Sequence, residues 1–568
     1  MPDNSNSTLP YGQRFITIAP SSIVMKTAAE PADDLRASRR WGLIAFALFA
    51  VPALAAIWCV PYFTTQDGPL HLLNAHITVE LFKQPAAFGH LYAMRWYPLP
   101  YWGGHLLLTG LLSFTSERIA DRTLMTLTSL GLATALVWLR WRVAGWPGMA
   151  FVAPLALLLS LNMLWLLGLY SFLLGVGVMF ITLGVWWAQR ERMSAGPALA
   201  LALLLIVGYL SHPVSLGLTV IALAVLGLAT PGVNWRRLAW TAASGLPLVP
   251  LALIYRGLMQ TGGEVQVAWE GLESWLSPRA WFNYARGVDF LAIRADAGCL
   301  PFATQSTDWF GYVGPSQVAQ VVIPILLVVT FFTMRKGAGR ERRGWLILAL
   351  LLFVVACFGP ASFGNAHGSI LRERILFVAM AASLPALDWR ARHRLVQVCG
   401  AGLIIAAILQ VAFVWDYALY SNRVVKDFMQ AKPFVGTGQR VEAVQIDTAG
   451  DYRANPLHNL ASALGLGTGN IVWNNYAPCL YYFPVRFADA DASRLADELS
   501  GAGIFRFKSS DEREHLLWYE ELLEESHEQI DALIVVGMNK EVDRINARWY
   551  GLEPVFERGD VRVFRRIN

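Results

Sequence analysis

Directly after its first long apolar stretch the chain reads Thr64-Thr65-Gln66-Asp67-Gly68-Pro69-Leu70-His71-Leu72-Leu73-Asn74. Proline suits the first turn of a helix, so Pro69 marks a helix start, with Asp67 just ahead of it in the position of an N-cap. Continued as a helix, Asp67, His71, Asn74 and Thr78 fall at i, i+4, i+7 and i+11. They form one polar stripe, and the other faces carry Leu70, Leu73, Ile77 and Leu81. A carboxylate on such a stripe can take the proton of an attacking hydroxyl, and an imidazole beside it can orient the base or the acceptor. The plainer alternative is that Asp67 only caps the helix and His71 only faces water.

A second group stands some three hundred positions later, in Gly364-Asn365-Ala366-His367-Gly368-Ser369-Ile370-Leu371-Arg372-Glu373-Arg374. Guanidinium groups bind phosphate oxygens with two parallel hydrogen bonds, which makes Arg372 and Arg374 candidates for an anionic substrate, with Asn365 and His367 beside them. The alternative is an Arg-Glu-Arg surface cluster, paired or solvated. His212, in Ser211-His212-Pro213, either touches substrate or occupies a proline turn. Asp289 and Asp296 are spare carboxylates that could replace Asp67 as base.

These groups need a frame, and composition names it. With 568 residues, 55% hydrophobic, and a mean hydropathy of +0.42, the chain is a polytopic membrane protein. Apolar runs that read as spans cover 41–63, 119–139, 148–166, 169–188, 197–211, 214–230, 239–255, 316–334, 344–359, 373–387 and 395–418, eleven in all. Residues 148–188 and 197–230 are each too long for one crossing and must turn, the latter at His212.

Clusters of Arg and Lys follow every second crossing, at Arg36/Arg39/Arg40, Arg140/Arg142, Arg190/Arg192, Arg236/Arg237, Arg335 to Arg343 and Arg390 to Arg394. Because such residues stay on the cytoplasmic side, the pattern puts residues 1–40 inside as a disordered tail, and the segments 64–118, 256–315 and 419–568 outside. The transmembrane domain then covers 41–418. Trp138, Trp141, Trp186 and Trp187 are expected as interfacial anchors. The stretch 97–114 reads as a helix lying along or dipping into the outer leaflet, since counting it as a span would reverse every later cluster. Arg372 and Arg374 are exceptions to the charge rule. The net charge of +5 is explained by topology, so nucleic acid is not a partner.

Residues 419–568 alternate strand-like Val441–Ile446, Ala532–Val536 and Val561–Arg565 with helix-like 488–500, 511–526 and 539–548, a small α/β domain. Asn470–Tyr476 and Tyr481-Tyr482-Phe483-Pro484 make a polar and aromatic patch suited to acceptor binding or to a structural lid. The five cysteines show no metal-ligand spacing, and a Cys299–Cys479 bridge is allowed but not required. The 256–315 loop is rich in Trp, Tyr and charged residues, a composition shared by sugar-binding surfaces and interfacial helices.

A first span, a long outward loop with an acidic residue near its start, many spans and an outward C-terminal domain resemble the GT-C class of integral-membrane glycosyltransferases. The Asp-Gly-Pro-x-His loop, Gly168-Leu169-Tyr170-Ser171-Phe172-Leu173-Leu174-Gly175 and Arg372-Glu373-Arg374 are similar to a group of bacterial members of that class. The resemblance implies transfer of a sugar, with inversion, from a polyprenyl-phosphate carrier to an envelope glycan, lipid or protein at the outer face of the bacterial inner membrane. In that reading Asp67 is the catalytic base, and His71, Asn74, His212, Asn365, His367, Arg372 and Arg374 bind substrate. Better-known members carry paired acidic residues where this chain has Asp67-Gly68, which leaves the use of a divalent cation open. Rival readings are a polyprenyl-linked glycan polymerase or ligase, which favours arginines and a histidine over a carboxylate, and a lipid or glycan transporter. A transporter usually places ionisable groups at the centre of its spans, and the spans read here contain almost none there.

Overall fold

A computed structural model describes residues 32–232, 234–261, 267–268, 288–295, 314–333, 341–360, 362–363, 369–387, 394–507 and 512–567. Most of the 256–315 loop, with Cys299 and Asp296, lies outside the described residues, as do Asn365 and His367. Among the described residues, five helices are long and apolar enough to cross a membrane: Asp33–Cys59, Glu117–Ala144, Tyr170–Arg192, Pro315–Phe332 and Arg394–Val435. Trp235–Ser244 and Leu248–Gln260, bent by 46° at their junction, make a sixth if taken together. Met149–Ser160, Ala195–Ser211, Pro213–Ala229 and Arg343–Phe358 are shorter apolar helices.

Met149–Ser160 is short because its backbone breaks and restarts. The 148–166 run stops as a helix at Ser160 and resumes as one turn at Met163–Leu166. Asn162 holds the break, its side chain accepting from Trp165 N at 3.0 Å and donating to Leu159 O at 2.6 Å. Gln410, buried in the last long helix, donates to Leu161 O and, at 2.9 Å, to Leu291 O. Buried irregular backbone survives only where protein groups satisfy it in this way.

The last apolar helix does not end near 418, where the domain boundary was expected. It runs Arg394–Val435, 42 residues or about 63 Å, twice a hydrocarbon core. Hydropathy falls after 418 but nothing breaks the helix until Gly436, whose φ of +83 favours glycine. Its C-terminal half carries the α/β domain: Lys432 donates to Ala463 O and Leu466 O, each at 2.8 Å, and Asp427 pairs with Arg558 at 3.3 Å.

In that domain Arg440–Ile446 and Ala532–Val536 pair in parallel, and Val561–Arg565 adds antiparallel to the latter. Ile471–Val472 and Ile504–Phe505 join Arg440–Ile446 in parallel, while Phe556–Arg558 closes the other edge. Helices Ala490–Ala502, Glu512–Ser526 and Lys540–Tyr550 lie between the strands in sequence. Every residue of Ala532–Val536 is buried, as a strand covered on both faces requires.

The first loop and this domain are joined by a strand pair. Tyr92–Met94 runs antiparallel to Val485–Phe487. Arg95 N donates to Pro484 O at 2.7 Å, and the Arg95 guanidinium donates to Leu480 O and Phe483 O at 2.9 Å each. The helix within 97–114 covers Trp102–Phe114, 13 residues or about 20 Å, shorter than a hydrocarbon core. It buries Trp102 and His105 and exposes Leu106 and Phe114. Trp186 and Trp187, expected at the interface, are buried between helices instead, Trp186 donating to Thr241 at 2.9 Å. Arg190 stands 4.1 Å over the Trp187 ring, so that indole receives the cation from within the protein.

Candidate active site

The turn that presents Asp67 is locked before its helix begins. Thr64 N donates to Ser421 Oγ and Tyr417 Oη donates to Thr64 O, both at 3.1 Å. Thr65 Oγ1 and Tyr170 Oη are 2.6 Å apart. Gln66 N donates to Leu166 O at 2.9 Å and Asp67 N to Leu167 O at 3.2 Å. Gly168 follows with φ +83, and a Cβ there would lie 3.0 Å from Asp67 N and 3.1 Å from its Cβ. The Gly168-Leu169-Tyr170-Ser171 segment is thus the floor on which Asp67 rests, and its first residue has room for glycine alone.

The helix does begin at Gly68 with Pro69 in its first turn, but the Asp67 side chain does not cap it. Its Oδ1 accepts from Asn459 Nδ2 at 2.8 Å instead. The carboxylate faces a cavity, so part of its surface stays accessible, yet the surroundings are protein on every side. Burial pushes the carboxyl up to about 7, against the Asn459 hydrogen bond and the Arg374 charge, which pull it down. His71 does not face bulk water. Its ring lies 5.8 Å from Tyr170 and 6.4 Å from Phe483, and burial pushes it down to about 4, leaving a neutral imidazole.

Asp67 and His71 line a cavity of about 300 Å³ together with Tyr101, Tyr170, His212, Ser369 and Arg374. Tyr476, Leu480, Tyr482 and Phe483 of the C-terminal domain form its other wall. Arg374, 3% exposed, places its guanidinium 5.2 Å from the Phe172 ring centroid and Nη1 3.4 Å from His212 Nε2. His212 caps a helix and also lines the cavity. Its Nδ1 accepts from Val214 N at 3.2 Å, capping Pro213–Ala229, while Nε2 reaches Tyr101 Oη at 3.1 Å on the cavity side.

The remaining candidates separate from this group. Arg372, about 200° around the helix from Arg374, is absent from the cavity lining. Asn74 is fully buried and exchanges hydrogen bonds with Asn475 at 2.8 and 3.3 Å. Thr78 pairs with His105 Nε2 at 2.7 Å. The polar stripe therefore divides: its first turn faces the cavity, and its later turns dock the C-terminal domain and the neighbouring helix.

Among the described residues no three His, Cys, Asp or Glu side chains gather to hold a metal ion. Among the described residues Cys59, Cys357, Cys399 and Cys479 form no disulfide with one another, and the Cys299–Cys479 pairing lies outside them. Sequence reasoning passed over Tyr101 and Asn459, and quoted Tyr170 only within a motif without a role. The aromatic patch at 476–483 was visible as a run of rings, but Asn459 stands in an unremarkable stretch.

No protein-family model and no curated protein sequence matches the chain. Solved structures do. A crystal structure of ArnT from Cupriavidus metallidurans bound to undecaprenyl phosphate is 13% identical, covers 93% of this chain and 98% of that chain, and gives a TM-score of 0.49. The same protein in the apo state is 13% identical over 94% of this chain and 98% of that chain, with a TM-score of 0.40. ArnT is a GT-C glycosyltransferase. A likeness of that degree says nothing about reaction or substrate.

Proposed function

We propose that this chain is a membrane glycosyltransferase that moves a sugar from a polyprenyl-phosphate carrier to an envelope acceptor, with the transmembrane domain crossing the bacterial inner membrane eleven times and the α/β domain in the periplasm. The observation that supports this reading is that Asp67 and Arg374, 307 positions apart, line one cavity between the membrane helices and the C-terminal domain.

The chemistry follows from the two groups. As the acceptor oxygen attacks the anomeric carbon from the face opposite the carrier, its proton passes to the Asp67 carboxylate. The bond between the anomeric carbon and the phosphate oxygen breaks, and its electron pair stays on the phosphate. Arg374 stabilises that growing charge in a site shielded from bulk water, where a fixed cation counts most. A carboxyl held near 7 suits a base that must be ionised yet able to accept a proton. Neutral His71 orients the acceptor.

Transfer from polyprenyl-phosphate-linked sugars in proteoliposomes, with the released polyprenyl phosphate measured, tests this reading. Wild-type protein should release it and Asp67→Asn should not. The contact of Arg374 with His212 favours a second reading, a glycan ligase working through an arginine and a histidine. Full activity in Asp67→Asn with loss in Arg374→Gln would select the ligase.

A further inference from the structure

His212 Nδ1 accepts the Val214 backbone N–H at 3.2 Å. A ring nitrogen that accepts a hydrogen bond carries no proton, so the imidazole is neutral and its one proton is on Nε2. Two groups lie against that proton, Tyr101 Oη at 3.1 Å and Arg374 Nη1 at 3.4 Å. A guanidinium nitrogen only donates, so it cannot receive the Nε2–H bond; the phenol oxygen can. The bond therefore runs from His212 to Tyr101, and the phenol must turn its own O–H away from His212.

Tyr101 lines the same cavity as Arg374. Its ring is held in place by Tyr482, centroid to centroid 4.8 Å, and by the edge of His212 at 5.3 Å. Burial pushes the phenol up to about 12, which keeps its proton in place.

We propose that Tyr101, oriented by His212, donates a hydrogen bond to the phosphate oxyanion that Arg374 attracts, so that the anion is held by one charged and one neutral donor. The proposal rests on the phosphate reading of the cavity. His212 is then a positioning residue, and Tyr101 touches the ligand.

Binding to the purified full-length protein in detergent tests this with three probes: geranylgeranyl phosphate, inorganic phosphate and geranylgeraniol. Tyr101→Phe keeps the ring and removes the donor, and should weaken geranylgeranyl phosphate about tenfold while leaving geranylgeraniol unchanged. His212→Asn keeps a capping acceptor but removes the Nε2 donor. It should weaken the lipid phosphate by itself and add little on top of Tyr101→Phe, a non-additivity that a merely structural histidine would not produce. Lipid-phosphate binding within twofold of wild type in Tyr101→Phe, alongside loss in Arg374→Gln, would overturn the proposal and leave the proposed function standing. Inorganic phosphate binding as tightly as the lipid phosphate, with the same dependence on Tyr101, would uphold the donor pair and remove the lipid carrier. If wild type binds neither phosphate probe better than the alcohol, both fall.

Discussion

The two walls of the cavity are built by opposite means. On the membrane side, Asp67 is fixed by backbone bonds from Gln66 and Asp67 to Leu166 and Leu167 and by the close approach of Gly168. Arg374 is set by the helix that starts after Ile370, a residue at φ +49. On the C-terminal side, Tyr476, Tyr482 and Phe483 sit around a single short turn, Ala477–Cys479. That segment is tied to the first loop by the strand pair and by the Arg95 side chain, which donates to the carbonyls of Leu480, Phe483 and Val485. Groups that handle protons and charge are held by backbone, where small displacements are costly to rate. The rings of the other wall are held by contacts from a different part of the chain. Under the proposed function the membrane-side wall carries the chemistry and the aromatic wall selects the substrate.

Breaking the membrane wall should cost most. Asp67→Asn is expected to lower transfer about 10³-fold, the worth of a positioned base. Folding should survive: the Asp67 carboxyl rises from 3.8 to about 7 in the fold, so the wild type loses stability as pH climbs from about 4 through 7, and the Asn variant lacks that loss. Its melting temperature at pH 8 should equal or exceed that of wild type. The same shift predicts that wild-type transfer rises with pH through about 7, as the base ionises, and a pH–rate profile checks it.

Arg374→Gln should lower transfer about 10²-fold, as loss of one donor to a developing oxyanion does. Arg372→Gln, two positions away and off the cavity, should change it less than about twofold, within the spread of surface substitutions. Equal losses in the two variants would dissolve the distinction the cavity draws between them. Gly168→Ala tests the floor: an alanine at φ +83 pressed on Asp67 should destabilise the protein by about 1–3 kcal/mol and reduce turnover rather than substrate affinity. The aromatic wall should respond differently. Tyr482→Ala is expected to raise KM by about two- to tenfold at nearly constant kcat, the worth of one ring contact. A fall in kcat instead would move that wall into the chemistry.

Much of this architecture could be read along the chain because it is periodic. The helix after Pro69 and the three long strands follow from local patterning, and the observed strand bounds differ by one residue at most. What could not be read depends on partners far away. Asn74 belongs to the same stripe as Asp67 and His71, but Asn475, 401 positions on, takes its hydrogen bonds. Arg372 and Arg374 look equivalent in sequence, and only the helix phase set at Leu371 separates them. Asn459 carried no signal, since an asparagine that bonds a carboxylate 392 positions back looks like any loop residue. The helix from Arg394 runs past 418 for a related reason: a fall in hydropathy marks where a helix leaves lipid, and helix termination needs a breaker, which arrives at Gly436.

The central claim is that the cavity lined by Asp67 and Arg374 holds a lipid phosphate at its Arg374 end. A cryo-electron microscopy map of the protein in nanodiscs with saturating polyprenyl monophosphate tests it most directly. The account predicts phosphate density within hydrogen-bond reach of Arg374, inside the cavity that Asp67 lines. Phosphate density elsewhere on the protein, with that cavity empty, would contradict it.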